Sequence, residues 1–98
     1  MSTLWKARRT IGELTATVER FKGERWADFR DRHGDWGRDV LLWAGRRYGG
    51  LTLRELGAVA GGIDYTAVAM AVQRLEARAR QDKSLRRLMH AIANGCET

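Results

Sequence analysis

The sequence of 98 residues contains no proline and a single cysteine, Cys96, close to its end. One thiol cannot close an internal disulfide, so cysteine usage does not indicate a secreted protein. The stretch that follows the basic Lys6, Arg8 and Arg9 is amphipathic rather than continuously apolar, which is not typical of a signal peptide. No apolar run has the length of a membrane span. We therefore expect a cytoplasmic protein with no membrane partner.

Residues with catalytic or metal-binding chemistry are equally scarce. The two histidines, His33 and His90, fall in different predicted helices, and neither has a cysteine or carboxylate at metal-ligand spacing. No glycine-rich loop precedes a Lys-Ser or Lys-Thr pair, as a phosphate-cradling loop would require. Neither tyrosine has a histidine pair or an acidic cluster nearby in the sequence. The sequence thus predicts no catalytic residue, no metal, no cofactor and no enzyme activity.

Helix-forming residues dominate what is present, and β-branched residues are few. Apolar residues at three- and four-residue steps predict a long first helix ended by Gly23, with the stripe Leu4, Ala7, Ile11, Leu14, Val18 and Phe21. A short second helix carries Trp26 and Phe29, and residues 33–39 are predicted to form a loop. A mostly buried third helix follows from Val40 to Tyr48, with Gly49 suited to the left-handed position after it.

The second half of the chain carries three predicted helix starts. Thr52 and Glu55 form a capping box that opens a fourth helix ending near Ala60. Gly61 and Gly62 break the chain, and Asp64 is a good N-cap for a fifth helix with the core stripe Val68, Ala71, Val72, Leu75 and Ala79. Asp82 caps a sixth. We predict one all-α domain over residues 1–98 with about six helices, comprising an N-terminal helix within 1–22, a helix-turn-helix at 52–80 and a C-terminal helix at 82–93.

Charge indicates the class of partner. Eighteen basic and twelve acidic residues leave a net charge of +6 and a pI near 10.4. This balance favours nucleic acid first and an anionic membrane surface second. In a helix-turn-helix, the first turn of the second helix stands clear of the surface and reaches base edges in the major groove. The same arginines would equally suit solvated helix faces, and Trp36 and Trp43 are expected in the core rather than on bases.

Two groups of residues are the candidates for contact with double-stranded DNA. The predicted base contacts are Asp64, Tyr65, Thr66, Ala67 and Ala69, where Asp64 serves first as the N-cap. The predicted phosphate contacts are Arg46, Arg47, Arg54, Gln73 and Arg74, to which a family resemblance described below adds Arg38. A DNA-binding role would place the protein at the nucleoid of a bacterium.

Residues 51–89 read "LTLRELGAVAGGIDYTAVAMAVQRLEARARQDKSLRRLM". This segment resembles the C-terminal DNA-binding domain of the bacterial replication initiator DnaA, an all-helical fold that shares its helix-turn-helix with the Trp repressor. The matching residues are Thr52, Leu53, Glu55, Leu56, Gly57, Gly61, Gly62, Asp64, Thr66 and Val68. The resemblance assigns Asp64, Tyr65, Thr66 and Ala67 to the start of the recognition helix. Ile63 stands where the initiator has arginine. The loop "DWGRD" keeps only Arg38 of the initiator's basic loop, so the resemblance implies that Arg38 is a further phosphate contact.

A second resemblance covers roughly residues 20–92. The pattern is similar to the DnaA-like C-terminal domain of REP-associated tyrosine transposases, carried here by Gly34, Asp35, Trp36, Gly37, Arg38, Asp39, Asp64, Tyr65, Ala67, Val68, Arg74, Glu76, Leu85 and Arg86. The transposases' histidine-pair metal motif and tyrosine nucleophile do not appear. The resemblance implies a detached DNA-binding domain or a stand-alone relative, with a transposase or another protein as a further partner. The rival function is a protein-interaction bundle that has kept the fold without base readout. The oligomeric state stays open.

Overall fold

The structure is a computed structural model that describes residues 9–97, with side chains described up to Asn94. This part of the chain forms helices and contains no strand, which confirms the predicted all-α class. The six helices are α1 (Ile11–Lys22), α2 (Trp26–Phe29), α3 (Trp36–Arg47), α4 (Leu53–Val59), α5 (Tyr65–Gln81) and α6 (Lys83–Glu97). None of them is long and apolar enough to cross a membrane.

The first helix begins later than its apolar stripe predicted. Thr10 and Glu13 form a capping box, in which the Glu13 N–H donates to Thr10 Oγ1 and the Thr10 N–H donates to Glu13 Oε1. The helix therefore starts at Ile11, and the predicted positions in residues 1–8 lie outside the described part. Gly23 ends the helix in the left-handed conformation, as predicted (φ 70°). Phe21 was expected on the core stripe but is 43% exposed.

The third helix is the centre of the molecule. Its residues from Gly37 to Gly45 are all buried, so it is covered on nearly every side, as its apolar density predicted. It begins at Trp36, four residues before the predicted start, because the Asp35 carboxylate accepts from the Gly37 N–H and caps it. After the helix, the left-handed residue is Gly50 (φ 67°) and not Gly49. Gly49 is small for another reason, since a Cβ there would approach the Gly45 carbonyl to 2.8 Å.

Buried apolar residues form two clusters on either side of α3. The larger joins α1, α2, α3, α5 and α6 through residues such as Leu14, Phe29, Trp43, Leu75 and Ile92. The smaller lies beneath the α4–α5 pair and consists of Leu42, Leu56, Ala60, Val68 and Ala71. The predicted stripe of α5 therefore faces the core, and α5 contributes to both clusters.

Four charged residues connect α1, α2 and α3 in what we call the junction network: Lys22, Glu24, Arg32 and Asp35. Lys22 Nζ lies 2.9 Å from Glu24 Oε1 and 3.1 Å from Asp35 Oδ2, and Arg32 reaches the same two carboxylates. Burial opposes the charge of Asp35, but the hydrogen bonds donated by Lys22 and by the Gly37 N–H outweigh it and lower its pKa. Burial also opposes the charge of Lys22, yet Glu24 and Asp35 raise its pKa. The network is therefore fully ionised at neutral pH.

Candidate nucleic-acid interface

The turn between α4 and α5 is built by backbone contacts around three glycines. The N–H groups of Gly62 and Ile63 donate to the Gly57 carbonyl at 2.8 and 3.0 Å, which folds the chain back against α4. Gly61 and Gly62 both have positive φ (92° and 91°), a conformation that favours glycine. A Cβ on Gly57 would overlap the Ile63 carbonyl oxygen. The predicted Gly-Gly turn is confirmed, and Gly57 is a further requirement of the same turn.

Side-chain caps set the residue at which each helix of this pair begins. The Glu55 N–H donates to Thr52 Oγ1 at 3.1 Å and the Thr52 N–H donates to Glu55 Oε1 at 2.7 Å, which confirms the predicted capping box of α4. Asp64 Oδ2 accepts from the Thr66 N–H at 3.1 Å, which confirms Asp64 as the N-cap of α5. Asp82 likewise caps α6 by accepting from the Leu85 N–H. All three helix starts predicted in this half of the chain are therefore correct.

The first turn of α5 is exposed on the side away from the core. Asp64, Tyr65, Thr66 and Ala67 are exposed, whereas Ala69 is half-buried. Tyr65 keeps 47% of its area exposed and lies beneath the Arg54 guanidinium, 5.2 Å from the ring centroid. The first turn of α5 and the first turn of α4 thus form one continuous surface, which combines an aromatic ring, a hydroxyl and a cation.

Met70 extends this surface and was not predicted. It is 57% exposed, the most exposed large apolar side chain in the described part of the chain. Thr66, Met70 and Gln73 are spaced four and three residues apart, so they lie on one face of α5. An apolar residue outside the core stripe was the available signal, because Met70 interrupts the polar side of a helix whose buried positions were already assigned. We call Arg54, Tyr65, Thr66, Ala67, Met70 and Gln73 the presented surface.

Ile63, which the predicted resemblance aligns with an arginine, has a structural role. It is half-buried and packs against the smaller core cluster beneath the α4–α5 pair. Arg30 instead places a cation near the turn, because its Nε lies 3.5 Å from the position of a Cβ on Gly61, beside Asp31 Oδ1 at 3.0 Å. Arg30 and Asp31 form an exposed ion pair of 3.3 Å. Sequence reasoning missed Arg30 because α2 is remote from the turn along the chain.

The six predicted phosphate contacts do not form one surface. Arg54 and Gln73 lie on the presented surface, and Arg46 is exposed and donates to the Leu51 carbonyl in the loop before α4. Arg47 lies elsewhere, in a groove beside α6. Consecutive residues of an α-helix point about 100° apart, so Arg46 and Arg47 cannot face the same way.

Arg38 and Arg74 both lie near the buried carboxylate of Asp39. Arg38 is only 9% exposed and its Nε has no hydrogen-bond partner, while Arg74 Nη2 lies 3.9 Å from Asp39 Oδ2. Burial raises the pKa of Asp39, and the charges of Arg74 and Arg38 oppose that shift. Arg74 is exposed and can turn toward a ligand, whereas Arg38 must leave its buried position to reach one.

Both histidines are exposed, as predicted, but only His90 lies in a helix, because His33 falls in the turn between α2 and α3. Within the described residues, no group of three or more His, Cys, Asp and Glu is placed to hold a metal ion. Trp43 is buried and Trp36 packs half-buried against the larger cluster, so both belong to the core, as expected.

Comparisons with protein-family models, with curated proteins and with solved structures find no match to this chain.

Proposed function

We propose that the protein binds double-stranded DNA and places the first turn of α5 in the major groove. The observation that carries the proposal is the asymmetry of α5: Val68, Ala71 and Leu75 are buried in the core, while Tyr65, Thr66 and Met70 are exposed on the opposite side. A helix held in this way can enter a groove without moving its scaffold. The net charge of +6 supports a polyanionic partner.

Each part of the presented surface has a role in this proposal. Thr66 Oγ1 hydrogen-bonds a base edge or a phosphate, and Tyr65, Ala67 and Met70 offer apolar contact to thymine methyl groups. Asp64 stays the helix cap, because its carboxylate is already engaged by the Thr66 N–H. Arg54 and Arg46 contact phosphates on either side of α4, with Arg30 near the turn.

Resemblance to the DnaA-like domains of REP-associated tyrosine transposases supports the same proposal and extends it. That resemblance implies a transposase-associated or transposase-derived protein that binds specific DNA sequences at the bacterial nucleoid. The half-buried Ile63 and the buried Arg38 favour one alternative, a protein-interaction bundle that has kept the fold, because they remove two cations from the DNA-facing side.

The test begins with selection of a bound sequence from random duplexes, followed by fluorescence anisotropy on the selected duplex and on a scrambled one. We expect Thr66→Ala to weaken binding to the selected duplex by roughly 1–3 kcal/mol and to leave the scrambled duplex almost unaffected. Arg54→Ala should weaken both duplexes alike and reduce the dependence of affinity on salt, since one phosphate contact is lost.

Ser84→Ala is the matched control for Thr66→Ala, because it removes an exposed hydroxyl from the first turn of α6 instead of α5. It should leave both affinities unchanged. Absence of duplex binding at low salt contradicts the proposal. Binding whose NMR shift changes fall outside residues 63–74 favours the interaction bundle.

A further inference from the structure

A second basic surface lies far from the presented surface. A groove of about 590 Å³ opens between the end of α3, the end of α5 and the length of α6. Its centre lies near Ala79, fifteen residues after Asp64 and so about 22 Å further along α5. We call it the α6 groove. The residues that contact a ligand at the first turn of α5 are therefore different from those that line the α6 groove.

The groove combines an apolar floor with a cationic rim. Trp43, Ala79, Met89 and Ala93 form the floor, together with the ring of Tyr48, which packs edge-on against Trp43 at 5.7 Å. The rim carries Arg47, Lys83, Arg86, Arg87 and His90. None of the described residues that line the groove is acidic.

The cations that α6 contributes to the rim lie close together, with no acidic residue among the described residues that line the groove. Lys83, Arg86 and Arg87 follow at steps of three and one residues, so they share one face of the helix. Like charges at these spacings destabilise a helix. Arg86 is held in place, since its Nη1 donates to the carbonyls of Ala79 and Arg80 and so closes the end of α5. Lys83 and Arg87 are exposed and form no ion pair within residues 9–94.

We propose that the α6 groove docks an acidic amphipathic segment of a protein partner. Apolar side chains of the segment cover the floor, and its carboxylates pair with Lys83 and Arg87. Charge complementarity identifies the partner as acidic. The concave apolar floor favours a peptide over nucleic acid, because Trp43 is only 9% exposed and the Arg47 guanidinium lies over the half-buried Tyr48 ring, which leaves little aromatic surface on which a base could stack.

The probe is a fluorescein-labelled peptide of glutamate and leucine, with leucines at steps of three and four residues, followed by anisotropy. A control peptide has serine in place of leucine. Wild-type protein should bind the leucine peptide at least about tenfold more tightly than the serine peptide. The double substitution Lys83→Glu and Arg87→Glu should weaken binding of the leucine peptide by about tenfold or more.

The matched variant carries Arg20→Glu and Arg25→Glu, two exposed positions outside the groove that change the net charge equally. It should weaken peptide binding by less than about threefold, since distant charges are screened by salt. Both variants should lose duplex affinity to the same degree, because they change the net charge equally. The peptide assay contains no DNA, so its result can be interpreted even if the protein does not bind duplex. Circular dichroism verifies that each variant is helical, and Arg87→Gln gives a milder reading should the double variant not fold.

Several outcomes overturn the proposal. They are absence of peptide binding by the wild type, equal binding of the serine peptide, and equal loss in the two double variants. A duplex affinity that falls more in the groove variant than in its matched control assigns the groove to nucleic acid instead. Self-association that is lost with the groove charges assigns it to a second copy of the chain.

Discussion

The junction network and the presented surface are both polar, but they use their polar groups in opposite ways. In the junction network, Lys22 and Asp35 keep only 8% and 5% of their side-chain area exposed and satisfy each other's charge. On the presented surface, Tyr65 and Thr66 are exposed, and Arg54 rests on an aromatic ring without a carboxylate partner among the described residues. Polar groups that satisfy one another hold the fold together, and those left to water are available to a ligand.

The two regions are also held together by different kinds of interaction. Side-chain charges join α1, α2 and α3, whereas backbone hydrogen bonds around Gly57 set the angle between α4 and α5. Substitutions should therefore affect stability strongly in the network and at the turn. The same kind of change on the presented surface should affect ligand binding with little effect on stability.

The largest expected effect on stability is at the turn. Gly57→Ala places a Cβ against the Ile63 carbonyl, and backbone cannot move aside as a flexible side chain would. We expect the free energy of unfolding to fall by about 3 kcal/mol, as in an overpacked core, despite the better helix propensity of alanine. Urea unfolding followed by circular dichroism measures the change.

Gly12→Ala in α1 is the control, because its Cβ would meet only Thr10 Oγ1 at 3.9 Å. It should stabilise the protein by up to about 1 kcal/mol through helix propensity alone. Equal effects of the two substitutions would show that the close approach at Gly57 does not set the turn.

The next effect concerns the junction network and its dependence on pH. Asp35→Asn removes the charge that faces Lys22 and should lower the free energy of unfolding at pH 7 by about 2 kcal/mol. The pKa of Asp35 is lowered by folding, so its contribution is present above the unfolded pKa of about 3.9 and is lost as pH falls through the folded pKa. The stability difference between wild type and variant should therefore shrink in acid, as chemical unfolding at several pH values will show.

Asp31→Asn serves as the comparison, because the ion pair between Arg30 and Asp31 is exposed. Its loss should cost less than about 0.5 kcal/mol at any pH. A loss as large as that of Asp35→Asn would remove the distinction between the buried network and exposed pairs.

The smallest of the three main effects on stability is expected from Ile63→Arg, which adds a cation at the turn. Ile63 is half-buried against the smaller cluster, so the loss should be about 1 kcal/mol, limited by the ability of the arginine stem to lie along the apolar surface. If the turn faces DNA, the added cation should steepen the logarithmic dependence of duplex affinity on salt by about 0.9. An unchanged salt dependence would place the turn away from the phosphates.

The features that the sequence predicts well are those set by neighbouring residues. The caps at Thr52, Asp64 and Asp82 each depend on a side chain and a backbone N–H two or three residues away. The same signal was present at Thr10 and Glu13, but an apolar stripe that continues across it indicated an uninterrupted helix. Local chemistry fixes where a helix starts more reliably than a continuous stripe does.

The features that the sequence does not predict depend on distant segments. Burial of Arg38 depends on how α3 is enclosed by its neighbours, and the position of Arg30 beside the turn depends on how α2 lies against the α4–α5 pair. Arg46 and Arg47 were predicted together as phosphate contacts, although the 100° between consecutive helical residues already separates them. The sequence therefore predicted the central turn of the candidate site and Arg54 beside it, but not the burial of Arg38 or the position of Arg30.

The glycine-built turn has a consequence for how such a protein can change over time. The geometry of the turn is set by backbone atoms, because the N–H groups of Gly62 and Ile63 donate hydrogen bonds to the Gly57 carbonyl. Tyr65, Thr66, Ala67 and Met70 are exposed, and none of their side chains takes part in the bonds that set the turn. For the proposed DNA-binding role, these four residues can therefore be exchanged, and the target sequence changed with them, without loss of the turn.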